Sequence, residues 1–123
     1  MERGDVEAWV KRYVRAWTTN DPDDIAGLFT EEARYFPEPF AEPWTGRDTI
    51  VARWLGRRDA PGSWEFRHRV LAVDGALAFV GGETTYRDRP RVYSNLWVIR
   101  LENDGRCSEF TEWWMEHESR EQE

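Results

Sequence analysis

The spacing of the apolar residues changes once along this chain, and that change constrains the fold more than any other feature. In the first half Val6, Trp9, Val10, Tyr13, Val14 and Trp17 recur three and four residues apart, which gathers them on one face of an α-helix. Asp5 stands where it can cap that helix. "NDPDDIAGLF" offers Asn20 or Asp21 as a cap with Pro22 in the first turn, and predicts a short second helix ending near Phe29. After a strand through "EEARYF", the stretch "RDTIVARWLGRR" pairs Ile50 with Trp54 and Val51 with Leu55 at helical spacing and stops near Gly56. Beyond "DAPGS" the period falls to two. "WEFRHRVLAV", "ALAFVGGETTY", "RVYSNLWVIRL" and "RCSEFTEWWMEH" are rich in β-branched and aromatic residues and are divided by turns at "DG", "RDRP" and "NDG", the signature of four consecutive antiparallel strands.

Helices followed by a strand meander imply an α+β fold, with three N-terminal helices packed in a curved, mostly antiparallel sheet. A length of 123 residues suits one domain, expected over 1–118 with a frayed tail over 119–123. Between the second and third helices lies "RYFPEPFAEPWTG". Its Pro37, Pro39 and Pro43 exclude helix and central strand, leaving a stiff loop that carries aromatic rings.

The charge balance narrows the partners. A net charge of −7 argues against nucleic acid and anionic membranes, both of which reward a basic face. No apolar run approaches the roughly 18 residues of a membrane span, and "MERGDVEAW" lacks the apolar core of a signal peptide, so a cytoplasmic protein is expected. Cys107 is the single cysteine and has no disulfide partner in the chain. His68 and His117 sit on separate strands without a third ligand, so no metal is expected. Nucleophile and phosphate-loop motifs are absent, which removes support for acyl transfer and nucleotide chemistry.

On the last two strands both faces call for burial. Phe110 and Trp114 alternate with Trp113 and Met115, and Trp97 and Ile99 with Leu96 and Val98. One face can pack on the helices. The other, through Leu96, Val98, Trp113 and Met115, is expected to meet a second copy in a homodimer.

The element order, with "LFTEEARYFPEPFAEPWTGRDTIVARWL" and "YSNLWVIRLENDGRCSEFTEWW", resembles the nuclear transport factor 2-like superfamily over nearly the whole chain, and its SnoaL-like branch most. The resemblance implies a cone-shaped α+β barrel with a deep pocket. It places the proline-rich loop, with Phe36 and Phe40, on the pocket wall and rim, Trp17 and Trp54 on the helices, and Gly82, Thr84 and Tyr86 on one strand. Asn95, Trp97 and Ile99 come from the next strand, and Phe110, Glu112 and Trp114 from the last. "VKRYVRAWTTNDPDDIAGLFTEEA" is similar to the first helices of ketosteroid isomerase, a more distant relative. By that likeness Tyr13 stands at an oxyanion-binding tyrosine, Pro37 at the catalytic base with Glu38 beside it, and Trp97 at the second oxyanion donor.

The implied cavity suits a flat apolar or aromatic molecule. Glu112, between Phe110 and Trp114, is a carboxylate in apolar surroundings and so a candidate acid or base, unless Arg67 or Arg69 pairs with it. Asn95 can orient a ligand carbonyl or satisfy the sheet, Glu38 can be a base from the rim or an exposed loop charge, and Tyr13 can bind an oxyanion or merely pack. Two classes of function stay open. One is a cofactor-free isomerase, cyclase or dehydratase, and the other a domain that binds its ligand without transforming it. An epoxide hydrolase needs two carboxylates joined by an arginine; Glu112, Arg69 and Glu83 come nearest, but alternation puts Glu83 on the opposite face from Thr84 and Tyr86.

Overall fold

The long apolar stripe forms α1, Arg3–Thr19, which buries Val6, Trp9, Val10, Tyr13 and Ala16. The computed structural model describes residues 1–117; the tail expected over 119–123 lies outside them. α1 starts before Asp5, so that residue caps from within the first turn, its carboxylate accepting the Glu2 N–H at 2.8 Å. Asn20 closes the helix in the left-handed conformation, φ 53°, which asparagine tolerates. Asp21 caps α2, Pro22–Ala26, by accepting the Asp23 N–H at 2.8 Å. α2 ends earlier than Phe29 because the sheet claims the next residues: the Leu28 carbonyl accepts from the Cys107 N–H, and Phe29 opens β1.

The strands are β1 Phe29–Phe36, β2 Trp44–Thr45, β3 Trp64–Asp74, β4 Leu77–Tyr86, β5 Val92–Leu101 and β6 Cys107–Glu116, with α3, Arg47–Gly56, between β2 and β3. β3 to β6 form the antiparallel meander, and the sheet order is β2-β1-β6-β5-β4-β3. β1 lies parallel to β6, a pairing that needs a long connection rather than a hairpin. The sheet is therefore mixed, and it is open, with β2 and β3 as its edges, so the cone is not a closed barrel.

Curvature comes from register breaks. An extra residue in β3 between Val70 and Ala72 shifts the inward set from Trp64, Phe66, His68 and Val70 to Val73, and such bulges bend and twist a strand. Inside the curve Trp9 meets Phe29, Trp97 and Phe110 with ring centroids 5.9–6.5 Å apart, and its indole N–H donates to the Leu28 carbonyl at 3.0 Å. This aromatic core fills the cone beneath the first half of α1. No described helix is long and apolar enough to cross a membrane.

Candidate functional site

Under the second half of α1 the cone stays open, as a cavity of about 610 Å³. Tyr13 and Trp17 reach it from α1 and Trp54 from α3, while β4, β5 and β6 contribute Thr84, Tyr86, Asn95, Trp97, Glu112 and Trp114. Strand alternation explains the sheet residues: each is two positions from the next on the concave face.

The floor carries a polar chain across three strands. The Thr84 hydroxyl donates to Asn95 Oδ1 at 2.8 Å, and Asn95 Nδ2 donates to Glu112 Oε2 at 2.7 Å. The same carboxylate oxygen accepts the Trp97 indole N–H at 3.0 Å. Glu112 has no basic partner among the described residues; Arg67 pairs instead with Glu83 on the outer face. Burial pushes the Glu112 carboxyl up to about 7, against the two hydrogen bonds, which favour its charged form. A carboxyl in that range can both take and return a proton near neutrality.

Beside it the Tyr13 and Tyr35 hydroxyls lie 2.9 Å apart. Burial, then each other's presence and the Glu112 charge, hold Tyr13 well above the ordinary phenol range; burial and the Glu112 charge raise Tyr35 as well. Both stay protonated at neutral pH. One hydroxyl donates to the other, which leaves the second proton of the pair for a ligand oxygen.

Of the residues singled out from sequence, Tyr13, Asn95, Glu112, Trp17, Trp54, Thr84, Tyr86, Trp97 and Trp114 share this cavity. Six do not line it, Ile99 among them because it is fully buried in the core. β1 runs on through Phe36, so alternation turns Tyr35 inward and Phe36 outward, where the Arg34 guanidinium covers it at 5.5 Å. Phe40 is 98% exposed and meets Trp113 on the outer side. Glu38 is exposed in the same loop. Phe110 is fully buried behind the floor, stacked on Tyr13 and Tyr35. The proline-rich loop instead lends Pro37 and Trp44, the latter stacked on Tyr35 at 4.7 Å. Gly82 does face inward, but the Phe66 ring covers it, only 2.6 Å from where a Cβ would stand.

Sequence reasoning placed Tyr35 and Trp44 only as rings of the rim loop, and it missed Tyr93, Asp59 and four arginines: Arg57, Arg58, Arg89 and Arg91. Extending the Asn95, Trp97, Ile99 alternation backwards would have found Tyr93. "GRRDAPGS" and "RDRPR" read as ordinary turns and carried no such signal. His68 faces α1, 3.1 Å from Glu7, and His117 meets Ser94. Among the described residues no three histidine, cysteine or carboxylate side chains cluster as metal ligands would.

A curved sheet wrapped on three helices, with one deep cavity between them, is the architecture of the nuclear transport factor 2-like superfamily. Residues 10–110 match the SnoaL-like domain, and the chain belongs to that family. Its fold is similar to that of a provisionally assigned ketosteroid isomerase from Kribbella flavida, with TM-score 0.71, 24% identity and coverage of 96% of this chain and 83% of that one. An NTF-2 like protein of unknown function from Burkholderia xenovorans gives 0.73, 17%, 95% and 88%. A ketosteroid isomerase-like protein from Erwinia carotovora atroseptica gives 0.68, 17%, 93% and 96%. A comparison with curated proteins finds no significant match.

Proposed function

We propose that the cavity takes up a flat apolar or aromatic small molecule and that Glu112 moves a proton on it without a cofactor, in an isomerase, cyclase or dehydratase type of reaction. The observation that carries this reading is the Glu112 carboxyl, held at the cavity floor by Asn95 and Trp97 and raised to about 7. A general acid or base works best when its pKa lies near the operating pH. The Tyr13 and Tyr35 hydroxyls, both protonated, supply donors for an oxygen that gains negative charge. The likeness to ketosteroid isomerases enters with a difference: by the sequence resemblance Pro37 stands where their base falls, and Glu38 beside it is exposed. Proton transfer is accordingly assigned to the floor of the pocket and not to its rim.

The test is turnover of a panel of enones, epoxides and polyketide-like substrates by wild type and Glu112→Gln. The amide keeps the shape and can accept the same N–H bonds, so affinity should change little while turnover falls about 10²–10⁴-fold. Undiminished turnover would remove Glu112 from the mechanism. The second reading, binding without chemistry, is favoured by the aromatic walls of Trp17, Trp44, Trp54, Trp97 and Trp114; it gains if no substrate turns over while a flat apolar dye binds and Trp114→Ala weakens it.

On the convex face we propose a second copy of the chain over Leu96, Val98, Trp113 and Met115. Trp113 is 43% and Met115 72% exposed there, with Phe40 beside Trp113. A two-fold contact sets the same apolar patch of each subunit against the other and closes the assembly at two.

A further inference from the structure

The mouth of the cavity has a charge opposite to that of the protein. The chain carries −7 overall, yet the charged side chains lining the cavity are Arg57, Arg58, Arg89 and Arg91 against Asp59 and Glu112. Both carboxylates are engaged. Glu112 is held by Asn95 and Trp97 on the floor, and Asp59 accepts the Trp17 indole N–H at 3.0 Å and the Tyr86 hydroxyl at 3.4 Å, with Arg89 also at 3.4 Å.

The arginines come from two segments far apart in sequence, which meet where Arg89 reaches Asp59. Arg57 and Arg58 follow α3, and Arg89 and Arg91 lie in the β4–β5 turn. A helix C-terminus attracts cations by its dipole, which accounts for the first pair but not the second. Arg91 is bound to Glu116 at 2.9 Å, and Arg89 is steadied over the Tyr86 ring at 3.9 Å. Arg57 and Arg58 have no carboxylate within 4.0 Å among the described residues. Arg57 nevertheless leans towards the cavity: its guanidinium lies 5.5 Å from the Trp44 ring centre, and its charge favours the ionised form of Tyr35. Guanidinium groups at the edge of an aromatic slot are suited to receive an acid oxygen in paired hydrogen bonds while the ring enters the slot.

We infer that the ligand of this cavity is an aromatic acid, its rings between the tryptophan walls and its anionic group at the arginine mouth. This rests on the reading that the cavity binds a flat small molecule, and it adds the charge that a neutral ring system lacks.

Two dyes of one skeleton separate the two ideas: 1-anilinonaphthalene-8-sulfonate, an anion, and N-phenyl-1-naphthylamine, which lacks the acid group. In fluorescence titrations at low salt the anion should bind at least about 10-fold more tightly, and the gap should narrow as sodium chloride is added. Arg57→Gln with Arg58→Gln should weaken the anion about 3–10-fold and leave the neutral dye within about 2-fold. Arg100→Gln makes the same kind of charge change on an exposed β5 residue outside the cavity lining and should alter neither. Trp114→Ala at the mouth should weaken both dyes, which locates them. Equal affinities for the two dyes, or an Arg100→Gln effect as large as that of the Arg57 and Arg58 changes, would overturn the inference and leave the aromatic pocket standing. Failure of both dyes to bind would overturn the pocket reading and the inference with it.

Discussion

Glu112 concentrates the chemistry because its surroundings pull two ways. Burial penalises the charged form, while Asn95 and Trp97 donate to it. The folded protein therefore holds this proton more tightly than the unfolded chain, whose carboxyl sits near 4.5. The stability this group contributes is fully present below that value and is lost as pH rises through about 7. Wild type and Glu112→Gln should unfold at similar denaturant concentrations at pH 4, and at pH 8 the variant should be more stable by about 1–3 kcal/mol. A difference independent of pH would mean that Glu112 ionises as an ordinary carboxyl. If Glu112 is the base, turnover should rise with pH through about 7, and the Glu112→Gln profile should lose that rise. Tyr13→Phe removes one member of the hydroxyl pair and leaves Tyr35 without its buried partner. A cost of about 1–2 kcal/mol in chemical unfolding is expected.

At the scale of elements, the inner surface is set by where each strand breaks its alternation. β1 ends at Phe36, where the strand through "EEARYF" was expected to end, and its alternation, with Tyr35 paired to Trp44 of β2, lets Tyr35 and Trp44 reach the cavity while Phe36 does not. On β4, Gly82 leaves the space into which the Phe66 ring settles, stacked on Trp97 at 4.9 Å. Gly82→Ala would drive a methyl group into that ring, and Phe66 can retreat only against neighbours that include Trp97, Trp17 and His68. The substitution should lower stability by about 1–3 kcal/mol and distort the donor that faces Glu112. Unchanged stability and dye affinity would show that Phe66 relaxes freely. The parallel contact of β1 with β6 joins the first strand to the last, so loss of β6 removes Glu112 from the floor of the site and separates β1 from β5.

At the scale of the molecule, the sheet has one face buried on α1 and α3 and another that leaves Trp113 and Met115 in solvent. The proposed homodimer is checked by light scattering: a dimer mass at micromolar concentration is expected, and Trp113→Glu should give folded monomers. A wild-type monomer would end the proposal. Because β5 and β6 carry the cavity on one face and this patch on the other, dye affinity should not change in a folded Trp113→Glu monomer unless the interface also braces the floor.

The sequence by itself determined the layer order and much of the inner surface. Periods of 3.6 and 2 are local properties of backbone geometry, so Tyr13, Trp17, Thr84, Tyr86, Asn95, Trp97, Glu112 and Trp114 could be assigned to faces before any contact was known. The family resemblance then put those faces round a pocket. What only the tertiary structure decided was which loop residues come to the opening. Arg57, Arg58 and Asp59 are separated from Arg89 and Arg91 by two whole strands, and no period links a turn to a helix end. Their meeting depends on the curvature of the sheet, which arises from register breaks at Val70 and Arg100. Likewise Phe110 and Glu112 share a face by alternation, yet one is sealed behind Tyr13 and Tyr35 and the other lines the cavity. Alternation orders side chains along a strand; where the packed core ends and the cavity begins depends on the volumes of all the rings that fill the cone.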